Sequence, residues 1–203
     1  GKVDTRDGSK SMRSGFAPDH APGGSRHIPP WSNGSGSASS PPVLSSAENG
    51  TLLFMTGGDH AVHEELLPVM MAMGTKAIHC GEMGQGSTVK LIGNSVISFM
   101  LEALCEGIVL GRKAGLSIET IVEVIQASGY ASPYYAFKGA AIAKRDFQEH
   151  FAIDLLVKDQ TLMLEQASAL QAPMPGLAAI REVFQAARAQ GHGREDICAV
   201  VKA

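Results

Sequence analysis

The stretch GEMGQGSTVKLIGNSVISFMLEALCEGIVLGRKAG, residues 81–115, decides the fold. Gly81, Gly84 and Gly86 mark its opening as a loop. From Ser87 to Ala114 the spacing predicts one long helix, capped by Ser87 or Thr88 and stopped by Gly115. Val89, Ile92, Val96, Ile97, Phe99, Met100, Leu104, Ile108 and Val109 cover more than one of its faces. A helix apolar on so many sides is expected to be central and packed by neighbours all round. Lys90 and Asn94 stand one turn apart, so both project from the same face just beyond the glycine loop. There the free N–H groups and the helix dipole favour an anion. A lysine can exchange a proton with a hydroxyl or carbonyl oxygen while a neighbouring amide holds it. The same spacing also suits a solvated lysine and a polar asparagine at a helix start, and spacing alone favours that plainer reading.

Upstream, Thr51 to Met55 reads as a short strand closed by Gly57 and Gly58. Asp59 is placed to cap a helix running to about Met73, with a kink or break expected at Pro68 and a stop at Gly74. Lys76 to Cys80 reads as a second strand. Downstream the pattern is helical throughout. Ser117 opens a helix to about Ser128, Pro133 one to Lys144, Phe151 one to about Leu170, and Pro173 and Pro175 precede one to Gln190. Glu195 and Asp196 open a short last one.

Composition divides the 203-residue chain. Residues 1–50 hold 11 Ser, 8 Gly and 6 Pro, half the segment, and only seven large apolar residues. Such a stretch cannot offset a backbone ordering cost of about 1–2 kcal/mol per residue, so residues 1–49 are expected to be a disordered leader. The net charge of −3 argues against nucleic acid as a partner. No uninterrupted apolar run reaches the length of a membrane span, and no membrane partner is expected; Glu102 and Glu106 break the best candidate. Cys80, Cys105 and Cys198 are widely spaced and odd in number, which predicts reduced thiols, no metal site and a cytoplasmic location. His60 and His63 resemble half of a metal pair, but a surface helix explains them as well.

From residue 49 onward the chain resembles the C-terminal part of the β-hydroxyacid dehydrogenases, the family of 3-hydroxyisobutyrate dehydrogenase and glyoxylate/succinic semialdehyde reductase. The resemblance rests on Asn49 to Gly58, Met73-Gly74, His79 to Gly81, Gly84-x-Gly86-x-x-x-Lys90-x-x-x-Asn94, Glu106-Gly107, Ala114 to Leu116, Phe151 with Lys158-Asp159, Pro173-x-Pro175 and Gly191 through Ala199, all in family order. It implies a mainly α fold: an all-helical domain around one long central helix, preceded by a two-strand remnant of a dinucleotide-binding Rossmann domain. It implies hydride transfer between NAD or NADP and a small semialdehyde, glyoxylate or β-hydroxyacid. It also implies Lys90 as the catalytic acid/base, Asn94 and Phe151 as substrate-binding residues, and Lys158 and Asp159 as cofactor-binding residues. The partners implied are a small carboxylate substrate and further copies of the chain in a homo-oligomer.

One departure from the family is plain. No Gly-x-Gly-x-x-Gly turn follows a strand anywhere in the chain, so the pyrophosphate cradle of a Rossmann domain is not found. The expected division is residues 1–49 as leader, 50–82 as Rossmann remnant and 83–203 as substrate and dimerisation domain. The expected activity is that of a truncated oxidoreductase with weak cofactor binding, inactive as an isolated chain. The alternative is a non-catalytic helical module that self-associates or binds a partner.

Overall fold

The computed structural model describes residues 43–203; of the leader expected over residues 1–49, residues 1–42 lie outside the described residues. The chain opens on a short helix, α1 (Val43–Glu48), which the composition of this stretch did not suggest. Then come β1 (Leu52–Thr56), α2 (His60–Met73) and β2 (Gly74–His79). The all-helical remainder is α3 (Gln85–Lys113), α4 (Ile118–Ala127), α5 (Pro133–Lys144), α6 (Ile153–Ala169), α7 (Pro175–Ala189) and a terminal 3-10 turn, Ile197–Lys202. The fold is thus mainly α, with one two-stranded sheet among the described residues.

β1 and β2 pair in parallel with α2 as the crossover, placing Leu53 opposite Lys76 and Thr56 opposite His79. The helix starts follow their capping residues. The Asp59 side chain accepts the Ala61 N–H at 2.7 Å, Ser117 that of Thr120 at 3.0 Å, and Ser132 that of Tyr135 at 3.1 Å. Pro68 does not break α2 as expected. It lies on the exposed side together with Glu64, whose freed carbonyl can turn to water.

The cap of α3 differs from the expectation as well. The helix begins two residues earlier, at Gln85, behind Gly84 with φ +87°, and no side chain caps it. Thr88 sits inside the first turn and donates to the Gly84 carbonyl at 3.2 Å. Close approach of backbones explains the glycines here. A Cβ on Gly86 would lie 2.6 Å from the Met55 carbonyl oxygen, and one on Gly57 2.5 Å from that of Glu82. The start of α3 is therefore pressed directly onto the end of β1.

The core is built by α3, α5, α6, α7 and the terminal turn, around Leu101, Ile108, Ile153, Leu156, Phe184 and Ile197. Inside it lies one ion pair: Lys138 Nζ donates to both oxygens of Asp196 at 2.7 and 2.9 Å. The Phe151 and Cys198 amides donate to the same carboxylate. Burial would raise the Asp196 pKa, but the hydrogen bonds and charge of Lys138 outweigh it and hold the carboxyl below its usual range.

α3 is central on one side only. Leu101, Leu104, Cys105 and Ile108 are buried, whereas Val89, Ile92, Val96, Phe99 and Leu110 are exposed. The expectation of neighbours all round is corrected: α4 to α7 gather on one flank of the helix and leave the other open. By length and composition this helix could also cross a membrane. Packing of the core against it gives its apolar character another use.

Candidate functional site

Lys90 stands in the second turn of α3, on the groove between that helix and α6. Asp159, eight residues beyond the start of the amphipathic run at Phe151, faces it from α6. The Asp159 carboxylate is 3% exposed and gathers three donors. Its Oδ2 accepts from Lys90 Nζ and from Asn94 Nδ2, the latter at 2.5 Å. Its Oδ1 pairs with Lys158 Nζ at 2.8 Å. The acid is buried while the side chains of both ammonium partners, Lys90 and Lys158, are 47% and 59% exposed. Burial pushes the Asp159 pKa up. Hydrogen bonds from Lys158, Lys90 and Asn94, with the charge of Lys90, more than reverse that and hold it below the usual carboxylate range.

The structure thus brings together four of the five residues singled out in the sequence: Lys90, Asn94, Lys158 and Asp159. Phe151 is elsewhere. It packs against the hydrophobic core, and its amide is tied to Asp196. It precedes α6, which begins at Ile153 and not at Phe151 as expected, and it is not among the residues lining the groove beside Asp159. Asp159 as the common acceptor of Lys90 and Asn94 was not foreseen. The pairs are 69 and 65 residues apart in the chain, and no local spacing signals them.

An open groove of about 400 Å³ begins at this cluster, lined by Met55, Gly86, Ser87, Lys90, Lys158 and Leu162 among others. One end is the first turn of α3, which no side chain caps; the Gln85 and Thr88 amides there donate to the Glu82 and Gly84 carbonyls. The other is the Lys90–Lys158 pair on its shared carboxylate. A small acid with a reducible carbonyl fits this donor set, and so does the nicotinamide–ribose end of a dinucleotide. The fit stops there, because no glycine turn for a pyrophosphate is found in the sequence.

Two other clusters offer less. A cavity of about 420 Å³ adjoins Lys138 and Asp196, but each of these charges is satisfied by the other. The rings of His60, His63 and His79 stand 4.9 to 5.9 Å apart. His63 Nδ1 is bonded to the Thr56 hydroxyl at 2.7 Å and His79 Nε2 to the Gly58 carbonyl at 2.8 Å. Among the described residues no group of three ligands is arranged to hold a metal ion.

Comparison with known proteins shows what the chain is similar to. Residues 84–203 match the family model described as NAD-binding of NADP-dependent 3-hydroxyisobutyrate dehydrogenase. Residues 44–81 match that of the NAD binding domain of 6-phosphogluconate dehydrogenase. The chain is 39% identical over 157 residues to 2-(hydroxymethyl)glutarate dehydrogenase of Eubacterium barkeri, covering 77% of this chain and 52% of that protein. It is 33% identical to glyoxylate/succinic semialdehyde reductase 1 of Arabidopsis thaliana, covering 77% and 54%. Among solved structures, 3-hydroxyisobutyrate dehydrogenase from Salmonella typhimurium superposes with a TM-score of 0.72 at 28% identity, over 78% of this chain and 56% of that one. The chain spans about half the length of the curated relatives it matches.

Proposed function

This chain belongs to the β-hydroxyacid dehydrogenase family, and on that premise we propose that it carries the proton-transfer half of an NAD(P)-dependent oxidoreductase acting on a small aldehyde acid or β-hydroxyacid. The observation that carries the reading is the convergence of Lys90, Asn94 and Lys158 on the buried carboxylate of Asp159.

In this reading residues 50–82 are part of a dinucleotide-binding unit and residues 83–203 are the substrate and dimerisation domain. A nicotinamide bound in the groove supplies the hydride. Gly86 and Met55 would lie along it, and the exposed ammonium of Lys158 would meet its ribose. The remaining chemistry belongs to this chain. Asp159 holds and aims the Lys90 ammonium, so that an Nζ–H faces the substrate oxygen at the moment of reduction. Lys90 passes that proton to the substrate carbonyl oxygen, and takes it back from the hydroxyl in the oxidative direction. Asn94 holds the same oxygen through the amide N–H that Asp159 does not use. Asp159, 3% exposed at the wall of the groove, orients Lys90 and anchors Lys158. Phe151 would act on substrate only from the far end of the cleft.

The test is turnover. Joined to the dinucleotide-binding half of a relative, the chain should oxidise NADPH in the presence of glyoxylate or succinic semialdehyde. The chain alone should bind NADPH weakly by fluorescence. Micromolar binding by the chain alone, or a joined protein inert toward every small aldehyde acid tried, contradicts this reading.

The open flank of α3 favours self-association alongside this activity. Val89, Ile92, Val96 and Phe99 form an apolar stripe at helical spacing, 39% or more exposed throughout. A homo-oligomer is expected by light scattering, and a strict monomer would argue against it. The three free thiols suit a reducing compartment, the cytoplasm.

A further inference from the structure

Lys90, Asn94 and Ser98 follow one another at intervals of four, along a single face of α3. The first two reach Asp159. The third is completely buried, and it meets the next residue of α6, Gln160, itself 2% exposed. The Gln160 amide donates to Ser98 Oγ at 3.1 Å, and the Ser98 hydroxyl donates to the Asn94 carbonyl at 2.8 Å. Asn94 in turn donates through its side chain to Asp159. The bonds close a ring: from the Asn94 side chain to Asp159, one step along the backbone of α6 to Gln160, across to Ser98, and back to the Asn94 carbonyl.

We propose that Ser98 and Gln160 are positioning residues, a lock that fixes the register of α3 against α6 and so sets the alignment of Lys90 and Asn94 on Asp159. The inference deepens the reading of Lys90 given above and rests on it for its purpose.

The cost of the arrangement supports it. Gln160 Oε1 is buried and has no hydrogen-bond partner among the described residues. An orphaned amide oxygen is unfavourable in an interior, and replacing both members of such a pair with apolar groups of similar shape is often neutral or stabilising. Most other buried side chains of the same two helices are apolar, among them Leu101, Leu104, Ile108, Leu156, Val157 and Met163. A polar pair held in the core against this preference specifies geometry, not stability. Sliding α6 by a fraction of a turn would leave the hydrophobic contacts interchangeable but would break the ring. On the far side of the cluster a second tie joins the two helices, Gln166 to the Thr88 hydroxyl at 2.9 Å.

The experiment uses the full chain and does not require turnover. The carboxyl carbon of Asp159 is followed by NMR through a pH titration, in the unmodified chain and in a Ser98→Ala, Gln160→Met double variant, with melting temperatures measured alongside. The groups facing that carboxyl, Lys90, Asn94 and Lys158, are all left intact. The double variant should melt at the same temperature or higher, while the Asp159 midpoint climbs by roughly half a pH unit or more toward the ordinary aspartate value. Ser98→Ala alone, which removes a single oxygen, should move the midpoint in the same direction and answers the question should the double variant fail to fold. An unmoved midpoint, with or without a fall in melting temperature, makes the pair merely structural and overturns the proposal. Because the readout is a carboxyl group, failure of the lock and failure of the dehydrogenase reading are separate results.

Discussion

The two parts of the described chain use apolar residues in opposite ways. In the helical part they face one another: Leu101, Ile153, Leu156, Leu177 and Phe184 show no exposed surface at all. In the strand–helix–strand part, Leu53, Val62, Leu66, Val69, Met71, Met73 and Ile78 are each 39% exposed or more, and Met70 is the buried apolar side chain. Both parts contain helices opened by a capping side chain, Asp59 in the one and Ser117 and Ser132 in the other. Local sequence rules therefore suffice to form an element, but only burial against a second layer makes it self-supporting. The helical part carries its own second layer. The sheet is held chiefly by β1 pairing with β2 and by the seating of α3 on its end.

That contrast can be broken by mutation. Phe184→Ala should cost about 3–5 kcal/mol in urea unfolding, since it opens a large cavity in the core. A loss below about 1 kcal/mol would mean that the helical part is not the stable one.

Acid gives an intermediate effect and acts through the helical part. Asp159 and Asp196 both have folded-state pKa values below the ordinary one. Each therefore adds stability that is fully present above roughly pH 4 and is lost as pH falls through the depressed folded values. Thermal unfolding followed from pH 6 to pH 2 should show this decline, and Asp159→Asn should flatten it. An Asp159→Asn chain with the unmodified slope would show that the Lys90–Asp159 pair contributes nothing to folding. The smallest effect is expected at Val69→Ser, 57% exposed on α2, which should change stability by less than about 0.5 kcal/mol. A large loss there would mean that the open face is covered in solution and would erase the comparison.

Much of this was legible in the sequence. Capping residues, prolines and glycines announced nearly every element, because Asp59, Ser117, Pro133 and Gly115 act within one turn of themselves. Lys90 and Asn94 were found by the same local logic, one turn after a glycine loop. What the sequence withheld was non-local. It placed Asp159 beside Lys158 but not beneath Lys90, since that contact depends on how α6 docks. It also overestimated the packing around α3, because periodicity shows which faces are apolar and not which are covered. Gly84 as the α3 cap was missed since the serine and threonine three and four residues later offered a more familiar signal. Pro68 inside α2 was misread because whether a proline breaks a helix depends on whether the freed carbonyl can face water.

The most direct test of the account is kcat for the chain joined to a dinucleotide-binding half, with Lys90 intact and with Lys90→Ala. Removal of a general acid of this kind predicts a loss of about 10²-fold or more, with a folded protein and little change in NADPH affinity. A Lys90→Ala protein that turns over within a few-fold of its parent would contradict the account.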